Sequence, residues 1–186
     1  MTENHKLNEL LNLFNIEAEK DIKIRQKIEV ELKELLDVSE NKKLIFTWLC
    51  YFKLHYVFEG LEELFILADR YYQAKDELDG WISMLLGDIK LFLMYKYEEV
   101  IKHYQTSVEL APKCVNNWAA LAECEMRLGN NQDAKRHLEI ALSNLIELDI
   151  QFTASSFDEI ITGVRSKYAK DYILEMIERI KTSNKL

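Results

Sequence analysis

The chain is poor in turn-formers, with five glycines and one proline in 186 residues, against average usage of about 7% and about 5%. An all-β fold needs such residues at every hairpin, so the scarcity argues against one. Cysteine is also scarce. Cys50, Cys114 and Cys124 are odd in number and show no Cys-x-x-Cys spacing, so no disulfide framework is indicated. No uncharged run approaches the ~20 residues of a membrane span. Met1-Thr2-Glu3-Asn4-His5-Lys6 lacks the charged-then-apolar order of a secretory signal. A cytoplasmic location is the expectation.

Positive charge is dispersed. No Lys/Arg run exceeds two residues, as at Lys42-Lys43, the net charge is −8 and the pI is about 5.1. A phosphate backbone or an anionic membrane face repels such a surface unless a basic stripe is segregated, and none is found. Neither nucleic acid nor membrane is an expected partner.

What is present points to helices. Leu, Glu, Lys, Ile and Ala dominate, and all but Ile are strong helix formers. The chain is 48% apolar and 30% charged, which argues against disorder. A single all-α domain over 1–186 is expected, and at this length roughly 70% of the unfolded surface can be buried without a metal or disulfide.

An internal period is visible. Trp48, Trp81 and Trp118 are separated by 33 and 37 residues. Downstream lie Leu61-Glu62-Glu63-Leu64, Tyr97-Glu98-Glu99-Val100 and Asn131-Gln132-Asp133-Ala134, spaced by 36 and 34. The last unit is the clearest: Asn117-Trp118-Ala119-Ala120-Leu121-Ala122-Glu123, then Arg127-Leu128-Gly129-Asn130, Asp133-Ala134, His137-Leu138 and Ala141-Leu142. The unit before it closes on Val108-Glu109-Leu110-Ala111-Pro112. This pattern resembles the tetratricopeptide repeat, a helical hairpin of ~34 residues. Small residues at Ala122, Ala134 and Ala141 suit close helix crossings, Gly129 suits a positive φ at a helix end, and Pro112 cannot continue a helix.

The middle unit keeps Leu86-Gly87 but has Leu93-Met94-Tyr95-Lys96 in place of the glycine turn, and Val100 and Ser107 in place of alanines. The first unit, about Thr47 to Asp79, keeps Trp48, Gly60 and Ala68. The resemblance implies a right-handed α-solenoid of about three hairpins over 42–148. N-terminal helices over 1–41 and a C-terminal capping helix and tail over 149–186 flank it, since end repeats need covering. Leu7, Leu10, Leu11 and Phe14 mark one flanking helix; Ile24, Ile28, Leu32, Leu35 and Leu36 mark another, with a break at 37–41. Phe157, Ile160, Ile161, Val164, Tyr168, Met176, Ile177 and Ile180 mark the last, with Ser155 and Asp158 as its cap.

No residue set argues for catalysis. His5, His55, His103 and His137 lack metal-ligand spacing. The acid pairs Glu62-Glu63 and Glu98-Glu99 fall at helix starts, where the macrodipole favours them; Glu123 and Glu125 read as solvated acids. Cys50 and Cys124 read as buried hydrophobes, and Cys114, after Pro112, is the thiol expected to reach solvent. Leu86-Gly87-Asp88 is a lone glycine within a helix and not a phosphate loop. No enzyme activity, cofactor or metal is expected.

In a stack of hairpins the first helix of each pair lines the concave face. That places Phe46, Leu49, Lys53 and Tyr56 inward in the first unit, and Trp81, Met84, Leu85, Asp88 and Leu91 in the second. In the third the set is Asn116, Ala119, Glu123, Met126 and Arg127. The family's carboxylate clamp for acidic chaperone tails needs several Lys, Arg and Asn side chains. Only Lys53 and Arg127 qualify here, and Asp88 and Glu123 oppose the charge. The surface reads apolar and aromatic, suited to an amphipathic helix or extended apolar peptide, unless the chain's own terminal helices cover it.

The expected role is an adaptor or co-chaperone that binds another protein. Its length, acidity and N-terminal helices are also similar to the chaperones of type III secretion translocators. An immunity protein for one toxin is the other alternative. The terminal helices are the expected seam if two copies pair.

Overall fold

The computed structural model of the chain describes residues 5–10, 13, 21–151 and 170–182, and every structural statement below concerns these. They are helical with short connections, and no strand occurs among them. The expected cap at Ser155 and Asp158, and Leu11, Phe14, Phe157, Ile160, Ile161, Val164 and Tyr168, lie outside the described residues. The packing divides into two compact units, Met1–Ile89 and Lys90–Leu186.

In the first unit helical residues 5–10 bury Leu7 and Leu10. α1 spans Ile22–Val38; its N-cap is Asp21, whose Oδ1 accepts from the Lys23 amide at 2.8 Å. Apolar residues at helical spacing bury one face of α1, namely Ile28, Leu32, Leu35 and Leu36. The break after α1 is Ser39–Asn41, shorter than the 37–41 expected, because Asp37 and Val38 complete its last turn. α2, Lys42–Phe52, is buried at every position from Ile45 to Cys50 and again at Phe52. A helix apolar all round belongs in a core.

α2 runs into a π-turn at Lys53–Val57, closed by the Phe58 amide on the Lys53 carbonyl at 2.8 Å. Phe58 and Gly60 then take positive φ, 62° and 59°. A Cβ at Gly60 would lie 3.2 Å from Lys53 Nζ, so glycine answers both the backbone and the space. α3 covers Glu62–Tyr71, with Glu62 and Glu63 in its first turn as the dipole favours.

α4 covers Glu77–Phe92 and starts on a reciprocal cap. The Asp79 amide donates to Asp76 Oδ1 (3.1 Å) and the Asp76 amide donates to Asp79 Oδ2 (3.2 Å). Asp79 has no exposed surface. It also accepts from the amides of Gln73 and Lys75 and from Lys43 Nζ, at 2.8–2.9 Å. Burial alone would raise this carboxyl; the backbone donors and Lys43 outweigh it and hold it below the ordinary aspartate value.

The second unit holds the end of α4 and then α5 (Tyr97–Leu110), α6 (Val115–Arg127), α7 (Asn131–Gln151) and α8, residues 170–182. The turns after α4 and after α6 have one geometry. The Met94 amide donates to the Leu91 carbonyl and the Tyr95 amide to that of Lys90; the Gly129 amide donates to Met126 and the Asn130 amide to Glu125. Both are Schellman caps with a left-handed residue at the same place, Met94 at φ 61° and Gly129 at φ 82°. The middle turn therefore does without glycine by holding a methionine, 90% exposed, in a conformation that costs an L-residue about 1–2 kcal/mol.

A test follows. Met94→Gly is expected to stabilise the chain by about 0.5–1 kcal/mol, since the relief of strain exceeds glycine's entropic cost. Gly129→Ala is expected to destabilise by about 1–2 kcal/mol. Nothing lies within 4 Å of a Cβ at Gly129, so that loss would come from the backbone alone. Denaturant melts of the two variants read both signs; a loss at Met94→Gly would show that the side chain supports the fold.

Candidate functional site

α6 and α7 form a hairpin on small residues. Ala122, Ala134, Leu138 and Ala141 have no exposed surface. A polar frame fixes it. Asn117 Nδ2 donates to the Ser107 carbonyl at 3.0 Å, tying α6 to α5. The Pro112 carbonyl accepts from Trp118 Nε1 (2.6 Å) and from Asn144 Nδ2 (2.8 Å), so the turn entering α6 is held from both helices of the hairpin. Across the crossing His137 Nδ1 lies 2.8 Å from Glu125 Oε2, and the His137 ring sits 5.2 Å from that of Trp118. Burial pushes the Glu125 carboxyl up, with His137 pulling against it. Glu125 is thus a buried partner in the hairpin, not the solvated acid expected.

α8 lies against this hairpin. Ile173, Met176, Ile177 and Ile180 join one apolar cluster with Val115, Ala122, Ala134, Leu138, Ala141 and Leu145, and Trp118, Ala119, Met126 and Leu142 pack against it. Tyr172 OH donates to Glu123 Oε2 at 2.8 Å. Burial first, then Glu123, raises the Tyr172 hydroxyl to about 12, so it stays a donor at neutral pH.

The fourteen expected lining residues separate by burial into three groups: six buried, seven half-buried and Arg127 exposed. Phe46, Leu49 and Lys53 are buried, as are Trp81, Met84 and Leu85. None of these six offers its side chain to a partner. A helix that is apolar on every side carries no period that separates a groove face from a core face, which is why spacing alone put them on the groove. Lys53 is the sharpest correction. Its side chain is 3% exposed, and Nζ donates to Glu29 Oε1 (2.9 Å) and Glu63 Oε1 (2.7 Å), with Lys33 Nζ on the same Glu63 oxygen at 3.0 Å. The two lysines outweigh the burial of Glu29 and hold it below the ordinary glutamate range; Lys53 foremost does the same for Glu63. Nearby, Arg25 Nη1 donates to the Tyr56 carbonyl in the π-turn at 2.9 Å.

The second group is half-buried: Tyr56, Asp88, Leu91, Asn116, Ala119, Glu123 and Met126. Tyr56 stacks on Phe52 at 5.7 Å. Arg127 is exposed, 3.9 Å from Glu123. With Lys53 buried and paired to Glu29 and Glu63, the chemistry of a carboxylate clamp is reduced to Arg127.

Other candidates resolve as packing. No cluster of three or more His, Cys, Asp or Glu able to hold a metal occurs among the described residues. Burial, with Lys90 near, lowers the His103 imidazole to about 4, so it is neutral at pH 7. Cys114, expected at the surface, is buried like Cys50 and Cys124, because the turn at Pro112 folds back under the Trp118 and Asn144 bonds. Burial raises the Cys124 thiol to about 12 and moves Cys50 further in the same direction. All three thiols are expected to resist a thiol reagent in the native chain and to react together on unfolding. Native labelling at Cys114 would contradict its placement.

A shallow depression of about 560 Å³ is lined by Lys6, Gln26, Lys27, Val30, Glu31 and Glu34. Its charged, open lining suits solvent. No described helix is long and apolar enough to cross a membrane. Comparison with protein-family models, with curated proteins and with solved structures found no match for this chain.

Proposed function

We propose that the chain is a non-catalytic protein-interaction module, a solenoid of tetratricopeptide-like hairpins that holds a helical or extended apolar segment of another protein. The observation that carries this reading is the seating of α8 on α6 and α7. Ala119 and Met126 pack against the cluster to which α8 contributes, and Glu123 accepts its hydrogen bond from α8. Three of the five side chains expected to line the third hairpin are thereby engaged by an amphipathic helix or the cluster it joins, the chemistry that the helix-in-groove mode requires. The recurrence of one turn geometry at Met94 and Gly129, 35 residues apart, supports the repeat reading, since that spacing is close to the ~34-residue period of the family.

The test is capture of a partner from an extract of the protein's own cell, using the intact chain. Glu123→Lys with Arg127→Glu inverts the charges at the solvent edge of α6 and leaves the apolar core alone. Capture is expected to fall at least tenfold, while loss of the Tyr172 hydrogen bond, about 1 kcal/mol, lowers the melting temperature by only about 2–4 °C. Undiminished capture would remove the α6 surface from the account. One partner recovered every time favours a dedicated chaperone or immunity protein; several favour an adaptor.

A further inference from the structure

We propose that the turn between α4 and α5 is a second contact surface, an apolar knuckle of Phe92, Met94 and Tyr95 that enters an apolar pocket with a carboxylate rim on a partner protein. The knuckle lies wholly within the second unit and shares no residue with the α6 surface, so it goes beyond the reading above.

Three large side chains stand in the open within four residues. Phe92 is 49% exposed, Met94 90% and Tyr95 43%. At about 200 Å² per side chain they present roughly 350 Å² from one turn. The largest apolar patch on a typical monomer is about 300–600 Å² and is often functional. Backbone strain singles out the middle side chain. Met94, at φ 61°, holds the left-handed position that Gly129 holds in the matching turn, and glycine would stand there without steric cost. Strain retained under a side chain that packs on almost nothing points to the side chain being used. Phe58 and Ala74 share a positive φ, but Phe58 leads into Glu59 and Gly60, and Ala74 lies between Gln73 and Lys75.

The flanking charge names the occupant. Lys90 Nζ lies 5.6 Å from the centre of the Tyr95 ring, Lys96 is exposed, and no acid falls between the two lysines. The next acids, Glu98 and Glu99, sit in the first turn of α5, where the helix dipole favours them. A cationic border around an apolar tip, in a chain of net charge −8, fits a pocket rimmed by Asp or Glu. Two copies of the chain oppose each other through that net charge, and an anionic membrane face repels it. The unbranched thioether of Met94 suits an irregular apolar pocket.

The probe is p-benzoylphenylalanine in place of Phe92 in the full chain, irradiated in the protein's own cell, with the adducts mapped to residues by mass spectrometry. One partner protein is expected, joined at apolar residues with Asp or Glu beside them. Adding Met94→Gly is expected to cut the adduct yield at least tenfold while the melting temperature holds or rises, so the loss is not one of fold. Adding Lys96→Glu is expected to cut it at least fivefold; an acid just before α5 suits the helix dipole and keeps the fold. Lys96→Arg is expected to keep the yield. Adducts only with a second copy or with lipid, adducts at sites without carboxylates, an undiminished yield in Met94→Gly, or no adduct at all would each overturn the proposal. If capture depends on Glu123 and Arg127 and not on Met94, the interaction module stands without the knuckle. If it depends on Met94 alone, the knuckle stands and the α6 reading falls.

Discussion

Asp79→Ala is expected to lower the stability of the chain by about 3–5 kcal/mol, the range for removing one partner of a buried charge pair. The carboxylate closes the reciprocal cap with Asp76, receives the Gln73 and Lys75 amides, and faces Lys43 Nζ at 2.9 Å. Its loss frees those donors at once. Lys43, whose side chain is 18% exposed, keeps only Asp76 nearby, and Asp76 is 57% exposed. For a chain of 150–250 residues about 1 kcal/mol corresponds to about 2–4 °C, so the melting temperature should fall by roughly 6–20 °C. Asp79→Asn keeps an acceptor and should cost less. The same group gives a pH dependence. Its folded-state value is depressed, so its contribution is complete above the unfolded value of about 3.9 and is lost as pH falls through that value toward the folded one. Thermal melts from pH 6 downward should steepen their decline below about pH 4 in the unaltered chain and lose that component in Asp79→Asn. Parallel profiles would mean that Asp79 is ionised equally in both states.

Ala134→Leu is expected to cost about 3 kcal/mol, the upper part of the range for overpacking a close-packed site. Ala134 has no exposed surface and belongs to one apolar cluster with Ala122, which has none either. Three further carbons cannot be accommodated by a side chain turning to solvent, so α6 and α7 must separate, and that strains the Glu125–His137 contact and the Gly129 turn. The contrast that makes the test specific is Lys135→Leu, one residue along α7 on its exposed side, where the change should stay within about 0.5 kcal/mol. Denaturant midpoints measure both. A tolerated leucine at Ala134 would mean that the two helices do not approach as closely as the hairpin requires.

The hairpin of α6 and α7 was legible because its determinants are residue types with one physical use each: Gly129 at a positive φ and alanines at a close crossing. The N-terminal helices were legible from the spacing of Ile28, Leu32, Leu35 and Leu36. Met94 left no trace, since its turn reproduces that of Gly129 at a cost in strain, and composition cannot signal a residue standing where another would be easier. The cap on α4 did carry a signal, Asp76 followed three residues later by Asp79, but its acceptor pattern is also common in loops.

Lys53 escaped for a different reason. A lysine at helical spacing normally points to water, and its two glutamate partners come from Glu29 and Glu63, far apart in the chain. Glu125 and His137 were read singly, although they lie on either side of the turn at 128–130 and face each other once the hairpin forms. Phe46, Leu49, Trp81, Met84 and Leu85 illustrate the general limit: period identifies an apolar face, and only packing tells whether that face meets the core, a terminal helix or a partner.

The most direct measurement of the central claim is the footprint of a captured partner on the full chain, read by amide hydrogen exchange. The account predicts new protection along α6, at Ala119, Glu123 and Met126 and their neighbours. Protection confined to Met1–Ile89, with α6 and α8 unchanged, would contradict it.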